Sequence, residues 1–109
     1  MTDFYLGERT LQQVKMANEM HSALKAYAEK KDLTLNEVYD KSLIWFVKNR
    51  KKTPFTVYLA SPKTGKNTSL WIDDEVMDSV RDTAEDGGVP VNRVIYTGLF
   101  MFLRKEKAL

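Results

Sequence analysis

"TSLWIDDEV", residues 68–76, alternates along a short run and then turns acidic. A period of two places Thr68, Leu70 and Ile72 on one face of a strand and Asn67, Ser69 and Trp71 on the other. The "DDE" at 73–75 puts carboxylates in or beside a first helical turn, where the helix dipole favours them. Val76, Val80, Thr83 and Ala84 then follow at the three-four spacing of one helical stripe, and "GG" at 87–88 is a C-cap signal. A longer second helix opens at Pro90 and runs through "VIYTGLFMFL" at 94–103. The order is strand, helix, helix. Trp71 is the anomaly, because it falls on the face that should meet water.

The same order occurs earlier in the chain. Sliding the sequence by 56 positions aligns residues 13–51 with 69–107 without a gap. Identities include Glu19/Glu75, Ala28/Ala84, Glu29/Glu85, Asn36/Asn92, Val38/Val94, Leu43/Leu99, Phe46/Phe102 and Lys51/Lys107. Apolar class is kept at Val14/Leu70, Met16/Ile72, Met20/Val76, Leu24/Val80 and Tyr39/Ile95. The kept positions are mostly the apolar ones that a core needs, which chance explains poorly. In copy 1 the strand "QQVKMA" at 12–17 turns Gln12, Val14 and Met16 inward and Leu11, Gln13 and Lys15 outward. Its first helix carries Met20, Leu24, Tyr27 and Ala28 and stops at "KKD", 30–32. Its second helix opens on Thr34-Leu-Asn-Glu37, the spacing of a capping box, whereas copy 2 has Pro90-Val-Asn-Arg93 and lacks that cap.

Both second helices, "VYDKSLIWFV" at 38–47 and "VIYTGLFMFL", are apolar on more than one face and require burial against several neighbours. Neither copy covers its own, and a lone two-stranded hairpin is already marginal in water. One arrangement settles both problems: the strands pair as an antiparallel ribbon and the helices interlock beneath it. Ser42 and Gly98 are the small residues at the expected helix crossing. The expected fold is mainly α with a small antiparallel two-stranded ribbon, built as a pseudo-dimer within one chain. Residues 1–10 are an N-terminal extension, 11–51 copy 1, 52–66 a linker and 67–109 copy 2, the copies forming one folded domain. The linker's 15 residues span up to ~50 Å when extended. Within it "FTVYLA", 55–60, alternates as an additional short strand would.

Strand, helix, helix with an interlocked ribbon resembles the ribbon-helix-helix (Arc/MetJ-type) family of DNA-binding proteins. Copy 2 is the closer: "EVMDSVRDTAEDGGVPVNRVIY", 75–96, is similar to the Arc repressor across both helices. The likeness covers about three-quarters of the chain and leaves the first ten residues and the linker unexplained. It implies that the outward ribbon face enters the major groove of double-stranded DNA, with Leu11, Gln13, Lys15, Asn67, Ser69 and Trp71 at the base edges. Gln and Asn suit adenine and Lys suits guanine. A solvated strand face is the plain alternative for these polar residues, and the duplication tips the balance against it. The resemblance further implies that the second-helix N-termini hold phosphate, through Thr34, Leu35 and Asn36 in copy 1 and Val91 and Asn92 in copy 2. Pro90 has no N–H, so copy 2 is expected to hold phosphate less well. Lys51, Lys52, Lys63 and Lys66 are candidate phosphate contacts, with a solvated basic face as the alternative.

Charge is uneven. Residues 1–56 carry 10 Lys/Arg against 7 Asp/Glu, and residues 57–109 carry 7 against 8. No cysteine is present, which excludes disulfides and thiolate metal sites. The N-terminus lacks the pattern of a secretory signal and no segment approaches the ~20 apolar residues of a membrane span. A cytoplasmic location, in a nucleoid or in a host cell, is expected, without membrane contact. "GKNTS" at 65–69 lacks the remaining residues of a phosphate loop. His21, the single histidine, suits a helix rim, and Asp73, Asp74, Glu75 and Asp78 suit a helix start better than a cation site. No catalytic constellation, metal or cofactor is expected.

Two functions stay open. The first is a sequence-specific DNA-binding regulator, a transcriptional repressor of phage, virus or plasmid origin, acting as a monomeric pseudo-dimer or as a further homodimer on DNA. The second is a protein-interaction module on the same scaffold, such as an antitoxin, a relaxosome accessory or a host-factor binder, docking through Trp71. Copy 2's acidity and its cation-free triad favour the second, while Gln13, Lys15 and the basic linker favour the first.

Overall fold

The computed structural model describes residues 8–50 and 58–109. Two strands, β1 (Arg9–Met16) and β2 (Lys66–Asp73), pair antiparallel as the only sheet among them. Alternation dictates their faces. Val14, Met16, Leu70 and Ile72 are almost wholly buried, with Gln12 and Thr68 partly so, while all six residues assigned outward are exposed. Both strands start before the alternating pattern announces them: Arg9 and Thr10 belong to β1 rather than to an extension, and Lys66 to β2 rather than to the linker. The partner strand decides this, since Arg9 pairs with Asp73 and Lys66 with Met16. Gly65 marks the entry to β2, because a Cβ there would fall 2.6 Å from the Met16 carbonyl oxygen.

Four helices complete the chain: α1 (Asn18–Lys31), α2 (Leu35–Arg50), α3 (Asp74–Gly87) and α4 (Val91–Lys105). The fold is therefore mainly helical with a small antiparallel ribbon, in the order β1-α1-α2-β2-α3-α4. Helices α1 and α3 end alike. Asp32 (φ 56°) and Gly88 (φ 64°) both take the left-handed conformation. In the closing bonds Leu33 N–H reaches Ala28 O at 2.8 Å and Val89 N–H reaches Ala84 O at 3.0 Å. The capping box of α2 forms as expected: Thr34 N–H donates to Glu37 Oε1 at 2.9 Å, and Glu37 N–H to Thr34 Oγ1 at 3.1 Å. Helix α4 starts after Pro90 with no side-chain cap.

The core lies between the ribbon's inner face and the four helices. Every position taken from the helical stripes of α1 and α3 is buried, as are Val38, Leu43 and Phe46 of α2 and Val94, Leu99 and Phe102 of α4. Helices α2 and α4 pack on each other at Gly98, where an added Cβ would stand 3.1 Å from Leu43 Cδ2 and 3.2 Å from the Phe46 ring. Ser42 is fully buried and satisfies its hydroxyl on the Val38 carbonyl at 2.6 Å. Met77 is also a core residue, although its counterpart His21 is only partly buried.

The linker is tied to the helices at its described end. Leu59 N–H donates to the buried Thr97 hydroxyl at 2.8 Å. The Tyr58 ring meets Phe46 edge-on, and Arg50 bonds both the Tyr58 hydroxyl and, at 3.1 Å, Asp86. Of the strand expected at 55–60, residues 55–57 lie outside the described residues and 58–60 form no strand.

Candidate nucleic-acid interface

Register turns the six outward residues into three rows: Leu11 opposite Trp71, Gln13 opposite Ser69, and Lys15 opposite Asn67. Residues 11 to 15 cover four strand rises, about 13 Å, and opposed Cβ atoms stand about 5 Å apart. The result is a narrow rectangular patch of side chains projecting from a ribbon that carries its apolar weight on the other face. A two-stranded ribbon of this width fits a major groove.

The two ends of the patch differ in chemistry. Leu11 is 45% and Trp71 48% exposed, an apolar row held open to solvent. At the other end Lys15 and Asn67 are exposed and polar, and Lys15 Nζ donates to the Lys63 carbonyl at 3.3 Å. Lys63 and Lys66 are exposed at that same end. Beyond the apolar row lie Glu8, Asp73, Asp74 and Glu75, and Arg9, paired opposite Asp73, is committed. Arg9 Nη2 bonds Asp40 Oδ2 at 2.9 Å while Nη1 donates to the Trp71 carbonyl at 3.0 Å. Asp40 also accepts the Asp73 N–H at 3.1 Å, so α2 anchors this end of the ribbon.

The second helices start beside the ribbon, each against the strand of the other half of the chain. Asn92 ties α4 to β1: its Oδ1 accepts from Gln12 Nε2 at 2.7 Å and its Nδ2 donates to the Gln13 carbonyl at 3.0 Å. Helix α2 begins beside β2, where Leu35 and Tyr39 line a cleft of about 360 Å³ with His21, Asn67, Thr68 and Ser69. Burial, then the nearby Lys25 charge, holds the His21 pKa below its ordinary value. The first-turn amides of Leu35, Asn36, Val91 and Asn92 have no intrahelical acceptor, and among the described residues no side chain takes them.

The two starts differ in charge. Glu37 sits in the first turn of α2, and Arg93 occupies the equivalent place in α4, whose first turn has no acid. Hydrogen bonds from the Thr34 N–H, then its hydroxyl, hold the Glu37 carboxyl below the usual carboxylate range, so it stays charged. That carboxylate occupies the Thr34 amide and opposes a second anion. The missing N–H of Pro90 is therefore offset by a more favourable field at α4.

Of the lysines assigned to phosphate, Lys63 and Lys66 are exposed near the ribbon, and Lys51 and Lys52 lie outside the described residues. The acidic run at 73–78 is dispersed into other bonds. Asp74 accepts the Thr10 hydroxyl at 2.6 Å, and Asp78 pairs with Arg81 at 3.2 Å. No group of three or more potential ligands converges on a cation site among the described residues. No helix among them is long and apolar enough to cross a membrane. The Asn92 and Asp40 bridges to the ribbon have no signal in the sequence, because each joins polar residues more than 30 positions apart. Comparison with protein-family models, curated proteins and solved structures finds no match.

Proposed function

We propose that the chain is a sequence-specific, double-stranded DNA-binding regulator. It inserts the outward face of its two-stranded ribbon into the major groove. The observation that carries this reading is the patch of six exposed side chains with a helix N-terminus on each flank. The patch supplies base-edge chemistry through Gln13, Lys15 and Asn67, and the flanking amides supply anion sites beside it. A transcriptional repressor of phage, virus or plasmid origin suits such a small reader best.

The arrangement is proposed to be a ribbon-helix-helix pseudo-dimer formed by one chain. The repeat offset of 56 carries Gln13 onto Ser69, and these two residues face each other in the register. A twofold axis relating the copies passes between such a pair and nowhere else along the ribbon. Asp32 and Gly88, equivalent under the same offset, share the left-handed conformation, which supports the equivalence further. Phosphate is held chiefly at the α4 start, where Arg93 replaces Glu37, and more weakly at α2.

Fluorescence anisotropy with pooled random duplexes tests the reading. Binding at low salt is expected, with a log–log salt slope of roughly −2 to −4 for two to four neutralised phosphates. No binding, or affinity insensitive to salt, refutes it. The exposed Leu11–Trp71 row and its acidic surroundings favour a second reading, a protein-interaction module on the same scaffold. Folded protein that ignores DNA at low salt would leave that module as the better account.

A further inference from the structure

We propose, building on the DNA-binding reading, that the ribbon takes a non-palindromic duplex in one orientation only. Its Leu11–Trp71 row lies on thymine methyl groups and its Lys15–Asn67 row on hydrogen-bonding purine edges.

The inference rests on the register rather than on either strand alone. Leu11, Gln13 and Lys15 on β1, and Asn67, Ser69 and Trp71 on β2, each run from one end of the patch to the other. Taken separately, both strands mix polar and apolar residues. Antiparallel pairing sorts them: both apolar side chains meet at one end, and the cation and the carboxamide meet at the other. A twofold axis through Gln13 and Ser69 would exchange Leu11 with Asn67 and Trp71 with Lys15. Both exchanges reverse polarity, so the two half-sites cannot be alike.

The chemistry of the groove then dictates which base goes where. The thymine C5 methyl is the apolar feature of the major-groove edge, and an indole beside a leucine is a surface that buries it. Lys15 matches the paired acceptors of guanine, and Asn67 matches adenine's acceptor and donor. Reversing the duplex would put the indole on acceptors stripped of water, a loss of roughly tenfold or more. Charge reinforces the direction. Lys15, Lys63 and Lys66 gather phosphate attraction at the polar end, whereas Asp73, Asp74 and Glu75 border the apolar end and Arg9 is neutralised by Asp40.

Selection of the intact chain against a random-duplex pool supplies the probe. Thymines of the selected duplex are then replaced by deoxyuridine, one half-site at a time, which removes the methyl and nothing else. The selected sequence should lack twofold symmetry. Deoxyuridine in one half should weaken binding about fourfold, the effect of losing one buried methyl group. That penalty should shrink in Trp71→Ala, vanish when Leu11→Ala is added and persist in Trp71→Phe, while the other half should be insensitive. A palindromic selection, equal penalties in both halves, or a penalty that survives in the Leu11→Ala, Trp71→Ala double variant overturns the inference and leaves DNA binding intact. Failure to enrich any sequence overturns the DNA-reading itself. Trp71 is 48% exposed, so its replacement should leave the fold standing, and the deoxyuridine series on the unaltered chain needs no variant.

Discussion

Trp71 keeps nearly half its surface in water because turning it inward would expel Ile72, which has no exposed surface at all. A one-residue slip would move every side chain of β2 to the opposite face, so the indole's exposure follows from the core's demand for Leu70 and Ile72. Trp71→Lys should therefore change stability by less than about 0.5 kcal/mol. Under the DNA-binding reading it should tighten binding, reduce selectivity and steepen the log–log salt slope by about 0.9, measured by anisotropy across a salt series. Gly98 is constrained from the other side. The gap to Leu43 and Phe46 has no room for a branched side chain, so Gly98→Val should lower stability by about 2 kcal/mol through overpacking. Urea unfolding should show a lower midpoint with an unchanged slope. An unaltered midpoint would mean that the two helices are not in close contact there.

Individual elements are governed by their ends. Helix α2 depends on the reciprocal bonds of Thr34 and Glu37, and Thr34→Ala should cost about 1 kcal/mol. Glu37 adds a pH dependence of known sign. Its folded pKa lies below the ordinary value of 4.5, so the folded state takes up the proton later than the unfolded one. The contribution is complete above pH 4.5 and is lost as pH falls through the depressed folded value. Glu37→Gln should flatten the acid limb of the stability curve, read from urea midpoints between about pH 6 and pH 3. Most of this scale was legible in the sequence. The capping spacing, the helix stops at 30–32 and 87–88 and the helical stripes depend on residues a few positions apart, whereas the left-handed conformation of Asp32 had no such signal. Strand ends were not legible, because Arg9, Thr10 and Lys66 are polar and are recruited by partners across the ribbon. Nor was Met77, whose place in the core does not follow from the partly buried His21 that aligns with it.

At the scale of the molecule, the apolar faces of α2 and α4 are covered by each other within one chain, with the linker fastened to α4 through Thr97. Under the proposed pseudo-dimer, each copy finds its complement intramolecularly, so the urea midpoint should not depend on protein concentration. A midpoint that rises with concentration would instead indicate copies exchanged between chains. The sequence by itself determined the faces within each alternating run, the buried stripes and the six outward side chains of the candidate site. These are properties of local periodicity, set by backbone geometry that each segment carries alone. Only the tertiary structure decided which outward residues meet: Leu11 with Trp71, Gln13 with Ser69, Lys15 with Asn67. It also decided that Asn92 grips β1 and that Asp40 neutralises Arg9. Such pairings join residues far apart in the chain, and their free energy exists only once the core has brought the segments together.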